Sequence, residues 1–456
     1  TTASYGTALG NQALSNNTTG ANNTAVGYQS LLANTTGHSN VAIGKAALDS
    51  NTTGIRNVCV GADAMLDSST GDSNTALGYG TLQVNTTADN NTAVGSLALF
   101  SNTTGASNVA VGSLSLDANT TGNYNVAIGD NALTANTTAS TNVAVGQAAL
   151  ETNSTGASNT AVGTSALNAN TTADNNTAVG KSALSTNTTG HSGVAVGKDA
   201  LAANTTGNYN VAVGVDALTT NTTGGENTVV GIQAMMQNTT GSANTAMGTS
   251  VLDANTTGSN NTAYGGSALG LNTTGASNTG IGQNALVANT TGTQNVSLGS
   301  HALQTTTTGD SCIGIGYNAN SSSATADGEC TLGNGDISTL RCNDTSISSL
   351  SDSRDKTNII DSPYGLDFIK TVRPVQFKWE TRDGNVKDGS TRIGFIAQEL
   401  LTATDGKNAI LDLVMDNNTD KLEAKYGNLL PIAIKAIQEQ NALIESLTAR
   451  ITTLEG

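Results

Sequence analysis

The sequence predicts an all-β fold: a parallel β-solenoid of 17-residue coils in 19 copies, followed by a small α+β domain with a C-terminal coiled-coil helix. Three observations carry this. A unit of the form NTAVGxxALxxNTTGxx runs from the first residues to about Asn320, its anchor glycines (Gly10, Gly27, Gly44 and on to Gly316) 17 residues apart without insertion or deletion. A fixed period of this size marks a repeat architecture in which one unit cannot bury its apolar face alone. Within a unit, Asn40-Val41-Ala42-Ile43-Gly44 alternates with the period-two geometry of a strand. The unit also lacks apolar positions three and four apart over ten or more residues, so it offers no helix.

The coil can be taken in order. Val41 and Ile43 should point one way and Ala42 the other, and Leu48, with Leu or Met at its equivalents (Leu14, Leu99, Leu133, Met235, Leu303), adds a third large side chain. The glycine and the Asn-Thr-Thr-Gly segments (Asn34 to Gly37, Asn102 to Gly105) are turn chemistry, since Gly and Asn tolerate positive φ. At roughly 3.3 Å per residue the perimeter is about 56 Å, which suits a flattened coil of two short strands and two turns. Coils about 4.8 Å apart then give a rod roughly 90 Å long. With so few large side chains per coil, and Ala42, Ala110, Ala127 and Ala144 recurring on the other face, the alanine face is expected to pack against another chain, most simply in a trimer. The segments NVAIG (Asn125 to Gly129) and NVAVG (Asn142 to Gly146) resemble the head coils of trimeric autotransporter adhesins, a resemblance that implies a trimeric β-roll and no particular ligand.

Asn-x-Thr/Ser recurs in nearly every coil (Asn17, Asn34, Asn51, Asn85 and on through Asn289). It fits glycosylation acceptors in a secreted product, but a ladder of stacked side-chain amides with Thr satisfying turn backbone fits better. The paired threonines are consecutive (Thr35, Thr36), so their hydroxyls face opposite sides, which argues against a flat ice-binding array. Variable His38, Tyr124, Glu151, His191, Tyr209, Glu226 and His301 read as solvated side chains; they show no metal-ligand spacing and no recurring carboxylate pair, and neither metal nor cofactor is expected.

The net charge of −16 argues against nucleic acid and anionic membrane as partners, and no run of eighteen apolar residues is present to insert into a membrane. No signal peptide is visible, and the opening at Thr1 leaves room for an upstream attachment segment. Of four cysteines, Cys59 replaces a coil alanine as a small filler, while Cys312, Cys330 and Cys342 could bridge but fit no zinc pattern.

The repeat decays after Gly316, with Thr331-Leu332-Gly333 a last echo. The expected division is a shaft over 1–320, a stalk over 321–350 with short strands at Ile337 to Arg341 and Ser346 to Leu350, and a distinct domain over 351–456. There, Thr371 to Glu380 and Arg392 to Ala397 read as strands around Asp383-Gly384, and Ala409 to Met415 with Lys421 to Tyr426 as a hairpin around Asn417-Asn418. Asn428 to Leu454 reads as a helix with Pro431 in its first turn. Leu430, Ala433, Ile437, Gln440, Ile444, Leu447, Ile451 and Leu454 alternate at spacings of three and four, an a/d seam with one polar layer.

Four motifs, SDSRDKTNI (Ser351 to Ile359), VRPVQFKW (Val372 to Trp379), GFIAQEL (Gly394 to Leu400) and YGNLLPIAIKAIQE (Tyr426 to Glu439), together resemble the endosialidase-type intramolecular chaperone, a self-cleaving peptidase domain, over the last 106 residues. The resemblance implies a domain that caps phage tail fibres and tailspikes, drives trimer folding and then removes itself by cleavage between Leu350 and Ser351. It places the serine–lysine pair at Ser351 and Lys356, with Asp352 and Arg354 ordering the loop; Asp355 stands where the family often has Leu. The chemistry is sound: Ser351 Oγ attacks the Leu350 carbonyl, the acyl group moves from nitrogen to oxygen, and water opens the ester, with Lys356 as base where burial lowers its pKa. The expected protein is a homotrimeric viral fibre of the virion or an extracellular surface, contacting a host receptor such as a glycan. The alternative is a cellular adhesin or extracellular filament using the same chaperone, and no turnover enzyme is expected beyond single-turnover autoproteolysis.

Overall fold

Each coil contributes one three-residue strand, and these strands stack in sequence order. The computed structural model describes residues 4–337, 353–378, 391–416 and 422–456. Twenty strands, from β1 (Thr7–Leu9) to β20 (Cys330–Leu332), recur every 17 residues and form one parallel sheet in which each pairs with the next. The register is constant, with Thr160 beside Thr177, Ala161 beside Ala178 and Val162 beside Val179. The solenoid expectation holds, and the sheet extends past residue 320 to Leu332.

The second strand expected in each coil is absent. The coil closes instead through residues in the left-handed region, four in a typical coil: Ser39 (φ 60°), Gly44 (φ 139°), Ala46 (φ 52°) and Leu48 (φ 55°). For a leucine that conformation costs roughly 1–2 kcal/mol. Burial offsets it, because Leu48 and its equivalents are fully enclosed and a buried Leu contributes roughly 1.5–3 kcal/mol. The left-handed residues also turn their N–H groups along the rod: Ser39 N–H donates to Ala21 O (2.9 Å) and Ala46 N–H to Tyr28 O (2.8 Å), in the preceding coil.

The strand faces are reversed relative to the expected packing. Ala42, Ala110, Ala127 and Ala144 are fully buried inside their own chain, where they line the core with Leu48-type residues and a second file of small residues such as Ala47. Val41 is half-buried and Ile43 is 39% exposed on the outside. The coil is too narrow to enclose more than one large side chain, so alanine is the inward residue and the aliphatics are left outward. The alanine face is therefore core, not the surface that another chain could cover.

Two buried asparagine ladders complete the coil. Asn34 Nδ2 donates to Asn17 Oδ1 (2.8 Å) and to Gly37 O (3.0 Å), and Asn51 repeats the bond to Asn34 at 2.8 Å. In the second ladder Asn23 Oδ1 accepts from Asn40 N–H (2.9 Å), while Asn40 Nδ2 donates to Gly54 O (2.8 Å). Thr35 Oγ1 donates to Thr52 O at 2.9 Å, and Thr36 is exposed. This is the amide ladder expected from the repeat, doubled. Cys59 is a buried filler at an alanine position, its thiol pKa pushed up by burial. Cys312 takes an asparagine place in the second ladder, its N–H bonded to Asn295 Oδ1 (2.8 Å). Neither Cys312 nor Cys330 is in a disulfide, and Cys342 lies outside the described residues.

The C-terminal part is small and α+β. It comprises α1 (Leu366–Ile369), β21 (Val375–Lys378) antiparallel to β22 (Thr391–Gly394), α2 (Ala397–Ala403), α3 (Asn408–Leu411), β23 (Val414–Met415) antiparallel to β24 (Glu423–Ala424), and α4 (Leu429–Glu455). Both expected strand pairs exist, although Ala397 opens α2 and Ala409 to Leu411 belong to a helical turn, and the turns expected at Asp383-Gly384 and Asn417-Asn418 lie outside the described residues. That turn forms because Asn408 bonds Val414 from both ends of its amide, Nδ2 to O (2.8 Å) and Oδ1 from N–H (3.1 Å), closing the chain on itself. The stalk strands expected at Ile337 to Arg341 and Ser346 to Leu350 fall, apart from Ile337, outside the described residues.

Candidate functional site

The expected processing site lies at the entrance to the C-terminal part. Leu350, Ser351 and Asp352 lie outside the described residues. A single 3-10 turn, Ser353–Asp355, follows, and Lys356 N–H donates to Ser353 O (3.3 Å) to close it. Arg354 and Lys356 are both exposed on this turn, each engaged with a neighbour. Lys356 is thus exposed here, without the burial on which its expected role as base relies.

The remaining motifs meet around α1, the two short sheets and the first turns of α4. Leu400, Leu411, Leu413, Val414, Leu429 and Ile432 form the core, with Tyr364 and Phe368 packed on it. Two contacts join distant motifs. Leu366 N–H, at the start of α1, donates to Glu439 Oε2 (2.7 Å), so α4 supplies across 73 residues the cap that Gly365 cannot. A side chain at Gly365 would strike that carboxylate. Likewise Gly394 lies under Tyr426, where a Cβ would come within 2.7 Å of Oη, and Tyr426 Oη accepts from Phe395 N–H (3.2 Å). Arg373 and Glu399 pair through both ends of the guanidinium, Nε to Oε2 at 3.0 Å, and the Arg373 bond holds the Glu399 carboxyl below its usual range. Glu439, Tyr426 and Glu399 all lie within the motifs of the sequence reading, but their pairings join residues far apart in sequence and could not be read from it.

Helix α4 divides along its length. Leu429, Ile432 and Ala436 face the core. Beyond them the expected seam, Ile437, Ile444, Leu447, Ile451 and Leu454, is exposed, from 53% at Leu447 and Ile451 to 84% at Leu454. Among the described residues no three His, Cys, Asp or Glu side chains gather to hold a metal, and no helix is long and apolar enough to cross a membrane.

Residues 351–408 match the family model described as chaperone of endosialidase. The match opens at Ser351 and ends at the first residue of α3, covering the 3-10 turn, α1, the β21–β22 pair and α2. No curated protein and no solved structure matches the chain. The chain thus couples a stack of β-coils to a segment of the endosialidase-chaperone type.

Proposed function

We propose that this chain is a trimeric fibre shaft, of the viral tail-fibre type, that attaches to a host surface and is matured by its own C-terminal chaperone. The observation that carries the reading is the family match beginning at Ser351, C-terminal to a rod whose last strand, β20, ends at Leu332. The exposed apolar seam on α4 supports it, because a helix with such a stripe and no partner among the described residues is built to meet others.

The assembly logic follows from the fold. Joining three separate chains is a concentration-dependent step, and near-identical coils can pair out of register. A trimeric seed at the C-terminal end sets the arrangement once, and the coils propagate from it. Ser351 Oγ then adds to the Leu350 carbonyl, the C–N bond breaks as the amine takes a proton, and water hydrolyses the resulting ester to free the shaft. Lys356 accepts the serine proton, and Asp352 and Arg354 hold the loop. Losing the seed removes the route back, which makes the shaft kinetically stable. The receptor-facing surface is the set of variable exposed positions along the coils, such as Tyr124 and Tyr209.

The test is intact mass and a denaturing gel of the full chain beside Ser351→Ala. Cleavage of the parent between Leu350 and Ser351, with the variant whole, is expected. A parent that stays whole would reduce the C-terminal domain to a permanent cap and remove maturation from the reading.

A further inference from the structure

The repeats can be read as an alignment of the chain with itself, and two files on the outward sheet face stand apart. The third strand position is Leu, Val, Ile or Met in nineteen of the twenty strands, from Leu9 to Leu332, and Tyr264 in the other, and neither it nor the first position carries a charge anywhere. Other exposed coil positions accept charge freely, as Lys45, Arg56 and Asp174 show. The outward file stays open to solvent along the rod, with Ile43, Leu77, Ile128 and Met247 between 39% and 47% exposed. Only an object with the same repeat, about 4.8 Å per rung, can touch every rung over the full length. A second copy of this chain is such an object.

The first strand position adds specificity. It holds only β-branched residues until Cys330, and from Thr7 it reads two Thr, two Val, two Thr, three Val, two Thr, two Val, four Thr, then Val296 and Ile313. Among the described residues, none of its ten threonines makes a side-chain hydrogen bond. Two copies aligned rung for rung put Thr beside Thr and Val beside Val throughout. Sliding one copy by one coil mismatches seven of eighteen facing pairs, and sliding it by two coils mismatches fourteen of seventeen. Each mismatch buries a hydroxyl against a methyl group with no partner, which is costly where water is excluded.

We propose that this outward sheet face is where copies of the chain associate, parallel and rung for rung, and that its Thr/Val file selects the register. The inference rests on the fibre reading above and adds to it which face joins the copies and how a wrong alignment is rejected.

The test uses the full chain with Cys330→Ser and Cys342→Ser, since Cys59 and Cys312 are buried. Thr160→Cys and Val194→Cys, each alone, are expected to give dimer-sized bands on oxidation, whereas Thr155→Cys, on the exposed threonine rib, gives none. Co-expressed, the 160 and 194 chains should cross-link only like to like. A second variant exchanges the code over four rungs (Thr160→Val, Thr177→Val, Val194→Thr, Val211→Thr) and carries Ile128→Cys as reporter. It should still cross-link to itself, yet pair with an Ile128→Cys parent about tenfold less often than chance. Equal cross-linking from Thr155→Cys overturns the face, and free mixing of exchanged and parent chains overturns the code. A full chain that sediments as a monomer would instead overturn the assembly reading of the preceding subsection.

Discussion

At Gly146, φ is 134°, and a Cβ would lie 2.6 Å from both the carbonyl carbon and oxygen of Gly163 in the next coil. Backbone strain and collision combine there, so Gly146→Ala is expected to cost about 3 kcal/mol or more, read as a fall in the urea midpoint of the shaft. Asp117 is the opposite case, a residue that the coil tolerates poorly. At the same place in other coils Thr134 donates to Leu114 O (3.3 Å) and Asn168 to Ala148 O (3.1 Å). A carboxylate cannot donate, Asp117 Oδ1 is buried without a partner, and desolvation raises its pKa above the ordinary 3.8. A carboxyl with a raised folded pKa favours the fold while protonated, and this contribution is lost as pH rises through the folded value. Asp117→Asn should therefore stabilise the shaft at pH 7 by about 1 kcal/mol. In acid, below the ordinary carboxylate range, the two melting curves should converge. The same bookkeeping of atoms answers the glycosylation question, since Asn34 and its equivalents have their amides enclosed in the ladder and the folded rod does not present them.

One element, the coil, is both the unit of stability and the unit of length. Deleting residues 143–159 removes one whole turn and should leave a rod with an unchanged circular dichroism spectrum and one rung fewer. Deleting 143–158 removes one residue fewer, breaks the 17-residue register and exchanges inward and outward faces beyond the cut, so the shorter deletion is expected to aggregate on size exclusion. Such behaviour was legible from the spacing of Gly10 to Gly316 alone, as was the asparagine ladder. The internal geometry of the coil was not. Alternation shows that Val41 and Ile43 oppose Ala42 but not which side is core, and the answer turns on how narrow a coil with four left-handed residues can be. The one-strand coil is hidden in the sequence for the same reason, because Ser39, Ala46 and Leu48 are not residues that announce positive φ. In the C-terminal part the motifs marked the hairpins and α4, whereas Glu439 at the start of α1 and Tyr426 over Gly394 depend on how the helix folds back.

For the whole molecule, assembly should depend on the exposed seam of α4 more than on any single coil. Ile444→Asp with Ile451→Asp places charge in two seam layers without touching Leu429, Ile432 or Ala436, so each chain should still fold its C-terminal core. Sedimentation is expected to show loss of the trimer, and a trimer that persists would shift the seeding role to the sheet. The coil stack has a further consequence under load. Its hydrogen bonds, such as Ser39 N–H to Ala21 O and Leu48 N–H to Ala64 O, connect one coil to the next and so run along the rod. Tension between the two ends therefore reaches every coil in series, and the rod yields by peeling one terminal turn at a time. Each released turn lengthens the chain from about 5 Å to roughly 56 Å. An isolated shaft of this design is stiff at rest and, when pulled, acts as a stepwise shock absorber whose capacity is set by the number of coils.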